Sequence, residues 1–535
     1  MNSLDEQPEL AEPYLLGFLS SVGLDVEYTR AEGNTLYYED PGHGEVAVFD
    51  AAGGYGSLFF GHNHPEIVGL AKDLLERRAP VLAQFSRHRD ANAVATELNR
   101  IVHRELGSDE PYFAIFANSG AEGIEAAVKH AELDRVLRAQ EIAGQLADEL
   151  AATRAAVLSG DAVVPAATFR ELGVPEAAGM TGFAALVAEL DRRNAAASGR
   201  PPVFLTLEGS FHGKLVGSVQ LTHNAAYRTP FTALAAQARF VPHGKPGALA
   251  DTIAAERRAL RGLTVRHGTV EVVEHEFPVI AALLLEPIQG EGGIVPVTEE
   301  FAQEIQRDCA AAGIPIVVDE IQSGMGRTGT LLASSAIGLR GDYYVLAKSL
   351  GGGLAKTAVM LARQGVYRNE FELVHSSTFA KDGFSTPIAL KVLSMLEADG
   401  GRAYRLAEER GERLADALHK VRVEFPDVVK DVRGRGLMLG LEFHDQSESR
   451  SQLIRDGAQS GLLGYTLAGY LLREHRVRTF PTASAGNTLR FAPSVFVTDR
   501  EIDQLQDGLR AVAELLREAD EARLTGGGAT AGGAG

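Results

Sequence analysis

A lysine placed directly after an apolar run and just before three glycines stands out in Tyr343-Tyr-Val-Leu-Ala-Lys-Ser-Leu-Gly-Gly-Gly353. Burial at a strand end disfavours an ammonium. Lys348 therefore needs a reason to be there, and a Schiff base to a carbonyl supplies one; a solvated lysine at a strand edge is the other reading. Asp319 closes the apolar run Ile314-Pro-Ile-Val-Val-Asp319, at the strand end where open α/β sheets hold their ligands. In Phe116-Ala-Asn-Ser-Gly-Ala-Glu122 a strand gives way to a helix, and Ser119 and Glu122 have the S-x-x-E spacing of a capping box. The small Gly120 and Ala121 leave amide N–H groups approachable at the positive end of that helix, which suits a phosphate as well as an ordinary capped helix. Gly324-Met-Gly-Arg-Thr-Gly329 satisfies G-x-G-x-x-G, but Asp319-Glu-Ile-Gln322 separates it from its strand and no helical pattern follows at once. A chance match to the dinucleotide fingerprint is the better reading.

Elements that deliver residues in this way must alternate strand and helix. Short apolar runs at 112–116, 203–207, 281–285, 314–318 and 343–346 read as buried strands, each followed by helical or loop sequence. That alternation predicts an α/β fold with a mostly parallel sheet flanked by helices. Thr35-Leu-Tyr-Tyr and Val46-Ala-Val-Phe, separated by Pro41-Gly42 and Gly44, read as a hairpin. After about residue 400 the pattern changes to a long helix over 404–425, strands at 428–432 and 438–443, and further helices, which suits a smaller α+β domain. Residues 134–200 are Ala-rich, charged and helix-prone and interrupt the alternation. The expected organisation is an N-terminal segment 1–65 contributing to the small domain and a large domain 66–395 with a helical insertion at about 134–200. A C-terminal small domain 396–522 and a flexible Gly-rich tail 523–535 follow.

Together with Leu283-Leu-Leu-Glu-Pro-Ile-Gln-Gly-Glu-Gly-Gly293, the three segments resemble the class III aminotransferases of the ornithine, 4-aminobutyrate and putrescine type, from about residue 33 to residue 516. The resemblance implies a dimeric fold-type I enzyme that uses pyridoxal 5′-phosphate. It implies that Lys348 holds the cofactor covalently and moves the substrate proton, with Asp319 beneath a protonated pyridine nitrogen. Gln322 matches the residue that hydrogen-bonds the ring oxygen, and Phe211, in Ser210-Phe-His-Gly-Lys214, matches the aromatic that stacks on the ring. Ser119, Gly120, Ala121, His212, Glu286, Ser377 and Thr378 complete the implied cofactor set. Thr378, in His375-Ser-Ser-Thr-Phe379, falls at the phosphate-binding threonine that reaches the neighbouring subunit's site. On the substrate side the resemblance implies that Arg490 grips the carboxylate of a 2-oxo acid bidentately. Glu291 pairs with Arg490 when an amine is bound, and Tyr55 and Lys214 face the substrate. Tyr55 reads equally well as a partly buried loop tyrosine.

The departures from the family concern the substrate. Lys214 stands where many members carry Arg, which favours an amine, diamine or ω-amino acid donor over an ornithine-like α-carboxylate. Ala380-Lys-Asp-Gly-Phe384 replaces the usual Gly-Gly-Asn-Pro. The 134–200 segment lies outside the common pattern and is expected to adapt the entrance to a bulky or carrier-bound substrate. His62 and His64 in Gly61-His-Asn-His-Pro65 read as structural rather than as a metal pair, and Cys309 reads as packing. The formal net charge of −19 argues against a nucleic-acid partner or an anionic membrane surface. No apolar run is long enough to span a bilayer. The first residues lack the basic and apolar blocks of a secretory leader, so a cytoplasmic enzyme is expected. The rival readings are a mutase, racemase or decarboxylase with the same cofactor, a nicotinamide dehydrogenase built on 324–329, and a non-catalytic scaffold that keeps the fold.

Overall fold

The computed structural model describes residues 11–234 and 237–525. Its centre is a seven-stranded sheet in the order Tyr112–Ala117, Ala358–Arg363, Tyr343–Leu346, Ile316–Asp319, Ile280–Leu285, Val203–Leu207, Gln237–Val241. Only Ala358–Arg363 runs against the rest. Every residue of the four strands from Tyr343–Leu346 to Val203–Leu207 is buried. Near-continuous apolar runs in a sheet covered on both faces have this consequence, and the mostly parallel α/β architecture is the one observed. Two strands of this sheet were not foreseen. Gln237–Val241 sits at an edge with mixed burial, so its sequence lacks a continuous apolar run. Ala358–Arg363 is the antiparallel member and follows a glycine-rich turn rather than a helix.

The chain ends meet in one of two smaller four-stranded sheets. Arg30–Glu32, Thr35–Asp40 and Gly44–Asp50 form the N-terminal hairpin and its edge, and Val477–Arg478 joins Gly44–Asp50 in parallel. Val429–Arg435, Met438–Phe443, Thr488–Phe491 and Phe480–Pro481 form the second, wholly antiparallel sheet. The helical stretch Ser385–Glu424 leads into this region. It breaks at 398–401, where Asp399, Gly400 and Gly401 all take positive φ (51°, 64° and 76°). Two of those three positions are glycine, which adopts that conformation without a Cβ penalty. Of the tail expected over 523–535, residues 523–525 belong instead to the helix Glu521–Thr525, where Leu524 is buried. The rest of the tail, 526–535, lies outside the described residues.

The helix Gly120–Ser159 runs for 40 residues, about 60 Å at the usual rise. It starts beyond the carboxyl end of Tyr112–Ala117. By Arg135 and Arg138 it has reached the amino ends of other strands, where it bonds the carbonyls of Pro278 (3.3 Å) and Gly313 (3.1 Å). Its far half packs with Ala166–Leu172, Gly179–Ser198 and a hairpin, Arg258–Arg266 with Thr269–Phe277. That hairpin was not foreseen, because its strands are only partly buried and charged residues interrupt any continuous apolar run. It turns through His267-Gly268, both at positive φ (51° and 75°), a two-residue turn whose twist suits paired strands. Phe169, Phe183, Leu186, Leu190, Leu263 and Val270 give this module a core of its own. The insertion therefore stands at the sheet end opposite the cleft described below and lends it no lining residue. The expectation that it shapes the entrance of its own chain is corrected accordingly.

Candidate active site

Parallel pairing brings the chemistry-bearing residues to one edge of the central sheet. Asp319 pairs with Val345, and Val318 with Leu285. Lys348 follows the strand Tyr343–Leu346 by two residues, Glu286 follows Ile280–Leu285 at once, and Phe211 and His212 follow Val203–Leu207. Ser119 follows Tyr112–Ala117 and caps the long helix, its Oγ accepting the amide of Glu122 (3.3 Å). Only half of the predicted capping box forms. The Glu122 carboxylate turns to the amide and side chain of Asn118 (2.8 and 3.0 Å) rather than to the Ser119 amide.

Asp319 is buried and held on both sides: Oδ2 lies 2.8 Å from His212 Nδ1, and Oδ1 accepts the Ile321 amide at 3.1 Å. Burial works against a charge on His212, but the Asp319 hydrogen bond and charge outweigh it and hold the imidazole above its usual range. Glu286 accepts the amides of Phe211 and Gly290, each at 2.9 Å, and so ties the aromatic residue to the turn that carries Glu291. Burial lifts its carboxyl to about 7, with His212 opposing and Asp319 adding. Burial likewise pushes the Lys348 amine down to about 8; Glu291 opposes the shift and Arg490 reinforces it. Lys348 has no acid within ion-pair distance among the described residues, and its backbone sits in the left-handed region (φ 47°). For a residue with a Cβ this costs about 1–2 kcal/mol, a strain of the kind that gathers at functional sites. Ser349, next in the chain, fixes the turn by donating to the Gly56 carbonyl (2.7 Å).

The substrate-side candidates converge as well. Arg490 is fully buried on Thr488–Phe491 and faces Glu291 with both terminal nitrogens, Nη1 lying 2.6 Å from Oε1 and Nη2 pairing with Oε2. Burial alone would raise the Glu291 carboxyl, but Arg490 outweighs it and holds the group below its usual range. The Arg490 guanidinium lies 5.1 Å from the Tyr55 ring centroid, and that ring stacks on Phe480 (5.7 Å, 13°). Tyr55, Phe211, Lys214, Glu291 and Arg490 line one cleft of about 620 Å³. Lys214 is exposed, with Nζ 4.1 Å from the Tyr227 ring centroid. Sequence reasoning missed Tyr227 and Tyr465 in this lining, and also Phe18 on the helix Pro13–Ser21, which meets Tyr465 edge-on at 5.3 Å. None of the three lies in a motif, so no local signal marked them.

Ser377 Oγ accepts from Asn118 Nδ2 at 2.8 Å, which brings the 375–378 segment alongside the start of the long helix in the same chain. Thr378 is exposed and its carbonyl accepts from Gln84 Nε2. His62 is committed to Asp50 (2.9 Å) and His64 caps the helix Pro65–Glu76. Among the described residues no cluster of three or more His, Cys, Asp or Glu could hold a metal ion. Within the same residues no helix is long and apolar enough to cross a membrane.

These residues fit pyridoxal 5′-phosphate. A desolvated amine without an acid partner, an anchored carboxylate and an aromatic side chain share one strand edge. The opening amides of a long helix, which have no intrahelical acceptor, adjoin them. Gly120 lets the helix start pack on the loop after Asp319, since a Cβ there would lie 2.8 Å from the Ile321 side chain. Gly290 likewise leaves room for Gln322, whose Oε1 would lie 1.8 Å from a Cβ.

Residues 20–513 match the family described as aminotransferase class-III. Among solved structures, the chain is similar to ornithine aminotransferase from Toxoplasma gondii, with 20% identity, a TM-score of 0.64 and coverage of 95% of this chain and 96% of that one. An amine transaminase from an uncultivated Pseudomonas species gives 20% identity, a TM-score of 0.65 and coverage of 95% and 97%. N-acetylornithine aminotransferase from Stenotrophomonas maltophilia gives 22% identity, a TM-score of 0.59 and coverage of 94% and 100%. Likeness at these identities concerns the fold.

Proposed function

The chain belongs to the class III aminotransferases, pyridoxal 5′-phosphate enzymes of fold type I, and we propose that within this family it carries an amino group from an amine, diamine or ω-amino acid to a 2-oxo acid such as 2-oxoglutarate or pyruvate. The observation that carries this reading is Lys348: a buried amine, pushed down to about 8 and unpaired, one strand away from an anchored Asp319. When bound, pyridoxal 5′-phosphate supplies the carbonyl that takes up the amino group and the electron sink that loosens the substrate Cα proton.

The residues divide the remaining work. Lys348 would hold the cofactor, and its Nζ, once released, takes the proton from the substrate Cα and returns it on the other side of the exchange. Asp319, oriented by His212, would keep a positive charge on the ring nitrogen. Phe211 and Gln322 would hold the ring, and the amides of Gly120 and Ala121 with Ser119 would hold the phosphate. Glu286 holds Phe211 and the 290–293 turn in place. Arg490 meets the carboxylate of the oxo acid, and Glu291 neutralises it while an amine without that carboxylate occupies the cleft. Lys214 replaces a bidentate guanidinium with a point charge, which favours donors without an ornithine-like α-carboxylate.

The same reading makes the protein a homodimer in which Thr378 reaches the phosphate of the neighbouring site. It takes 66–395 as the cofactor-binding domain, with 1–65 and 396–522 as the smaller one. Support for the dimer comes from Leu82, Phe85, Leu373 and Phe379, apolar and exposed in the single chain near Thr378 or in its flanking sequence. The test is a visible spectrum of the purified holoenzyme titrated with single amines in the absence of oxo acid. One equivalent of turnover followed by arrest supports transamination; continued turnover refutes it.

A further inference from the structure

The Gly324–Gly329 motif, unused by the chemistry above, buries a cation. Arg327 is fully buried, and among the described residues it has no acid within ion-pair distance. Its guanidinium instead donates to three main-chain carbonyls from three separate segments: Pro493 (2.8 Å), Leu437 (3.0 Å) and Gly56 (3.3 Å). Its Nε has no partner. A buried charge without an acid is expensive, so a position that retains one, held by three carbonyls and the Phe59 ring 5.7 Å away, is doing something a well-packed apolar residue would not.

The three acceptors show what that is. Pro493 follows Arg490 by three residues, and Gly56 follows Tyr55. The turn Gly53-Gly-Tyr-Gly56 is left-handed throughout (φ 51°, 58°, 57° and 84°), which is strained at Tyr55 alone. It presses against the other segment closely enough that a Cβ on Gly53 would lie 2.0 Å from the Ala492 carbonyl. The Gly56 carbonyl is held by Arg327 and by Ser349 beside Lys348, and the neighbouring Tyr55 carbonyl accepts from Gln322 Nε2 at 3.4 Å.

We infer that Arg327 is a positioning residue that locks the strained Tyr55 turn against the Arg490 segment, and thereby sets how the cleft receives the carboxylate of the acceptor. This deepens the transamination reading and rests on it. Arg327 touches neither substrate nor cofactor, so its loss acts on acceptor recognition before it acts on the chemical step.

The experiment compares wild type, Arg327→Lys, Arg327→Met and Tyr55→Gly as holoenzymes. Binding of glutarate, a non-reacting dicarboxylate, is followed by the visible band, beside KM and kcat for 2-oxoglutarate. Arg327→Met should weaken glutarate and raise KM by about 10- to 100-fold, the effect of losing charge-assisted hydrogen bonds, with a smaller fall in kcat. Arg327→Lys should recover part of the loss. Should Arg327→Met fail to fold, the cycle Arg327→Lys, Tyr55→Gly and their double variant decides, because residues acting as one unit are non-additive. Glutarate affinity within about twofold of wild type in a folded Arg327 variant, or strict additivity in the cycle, overturns the inference. Wild type that binds glutarate but exchanges no amino group would instead overturn the proposed function.

Discussion

Asp319 and His212 meet at 2.8 Å, Oδ2 to Nδ1, and the far nitrogen of that imidazole lies 3.2 Å from Thr206 Oγ1. A carboxylate offers about four lone-pair sites. One hydrogen bond to His212 and one to the Ile321 amide therefore fix its rotation and leave capacity for a cation. Removing one partner from a buried pair costs about 3–5 kcal/mol. Asp319→Asn should thus slow the amine half-reaction by about 10²- to 10⁴-fold while the cofactor stays attached, as measured by single-turnover absorbance.

Lys348 sets a pH dependence. Only the neutral amine attacks a carbonyl, and burial brings its midpoint to about 8. Capture of pyridoxal 5′-phosphate by cofactor-free protein should accelerate about tenfold per pH unit below that value and level off above it. In the cofactor-free protein the buried amine penalises the fold increasingly as pH falls from the ordinary 10.5 toward about 8, and by a constant amount below. Lys348→Ala should remove both dependences and lower amino-group exchange by about 10⁴-fold; stopped-flow capture rates and pH-resolved melting check this.

The Arg490–Glu291 pair separates the two half-reactions. Arg490→Lys loses the bidentate grip, so KM for the oxo acid should rise by about 10- to 100-fold, with less effect on a monoamine donor. Glu291→Gln leaves the buried cation without its acid; it should weaken apolar amines and spare or tighten the oxo acid. Glu291 is held below its ordinary value, so the stability it contributes is present above the ordinary glutamate range and lost as pH falls through its lowered midpoint. Steady-state kinetics on each substrate, with acid melting curves, resolve these effects.

The inserted module should be separable from catalysis. Leu186 is fully buried in its core, and Leu186→Asp should cost stability by about 3 kcal/mol or more. Because the module lends nothing to the cleft of its own chain, kcat/KM across an amine panel should stay within about twofold of wild type. A change that depends on amine size would restore the insertion to the entrance.

Thr378 tests the shared site. Loss of one hydrogen bond to a charged phosphate is worth about 1.5–3 kcal/mol, so Thr378→Ala should release cofactor roughly 10- to 100-fold more readily. Mixing Thr378→Ala with Lys348→Ala chains should give hybrids with one intact site, recovering activity at cofactor concentrations too low to load the Thr378→Ala parent. No recovery on mixing would place Thr378 in its own chain's site.

Lys348 and Asp319 were legible before the structure as strand-end residues, because each follows or closes an apolar run that the fold turns into a buried strand; Phe211 and Arg490 were reached through the family resemblance. The outer edge of the sheet at Gln237–Val241 was not, because that strand is only partly buried and lacks the apolar continuity of an inner strand. The hairpin Arg258–Arg266 and Thr269–Phe277 hid for the related reason that one face is solvated. Arg327 lay in a glycine motif read as a chance match and was given no role, since nothing local reveals that three distant carbonyls converge on it. Glu320 was invisible for the same reason. It is fully buried and satisfied by Ser323 and Ser334, each at 2.6 Å, a set that exists only once the loop has closed.

The unbroken Gly120–Ser159 helix has a practical consequence. One end opens at Ser119, beside the strand edge that carries Asp319 and Lys348, and the other terminates at Gly160, in an exposed turn about 60 Å away. A fluorescent protein or a surface tether spliced at Gly160-Asp161 would ride on a rigid boom, leaving the catalytic mouth of that chain facing free solution.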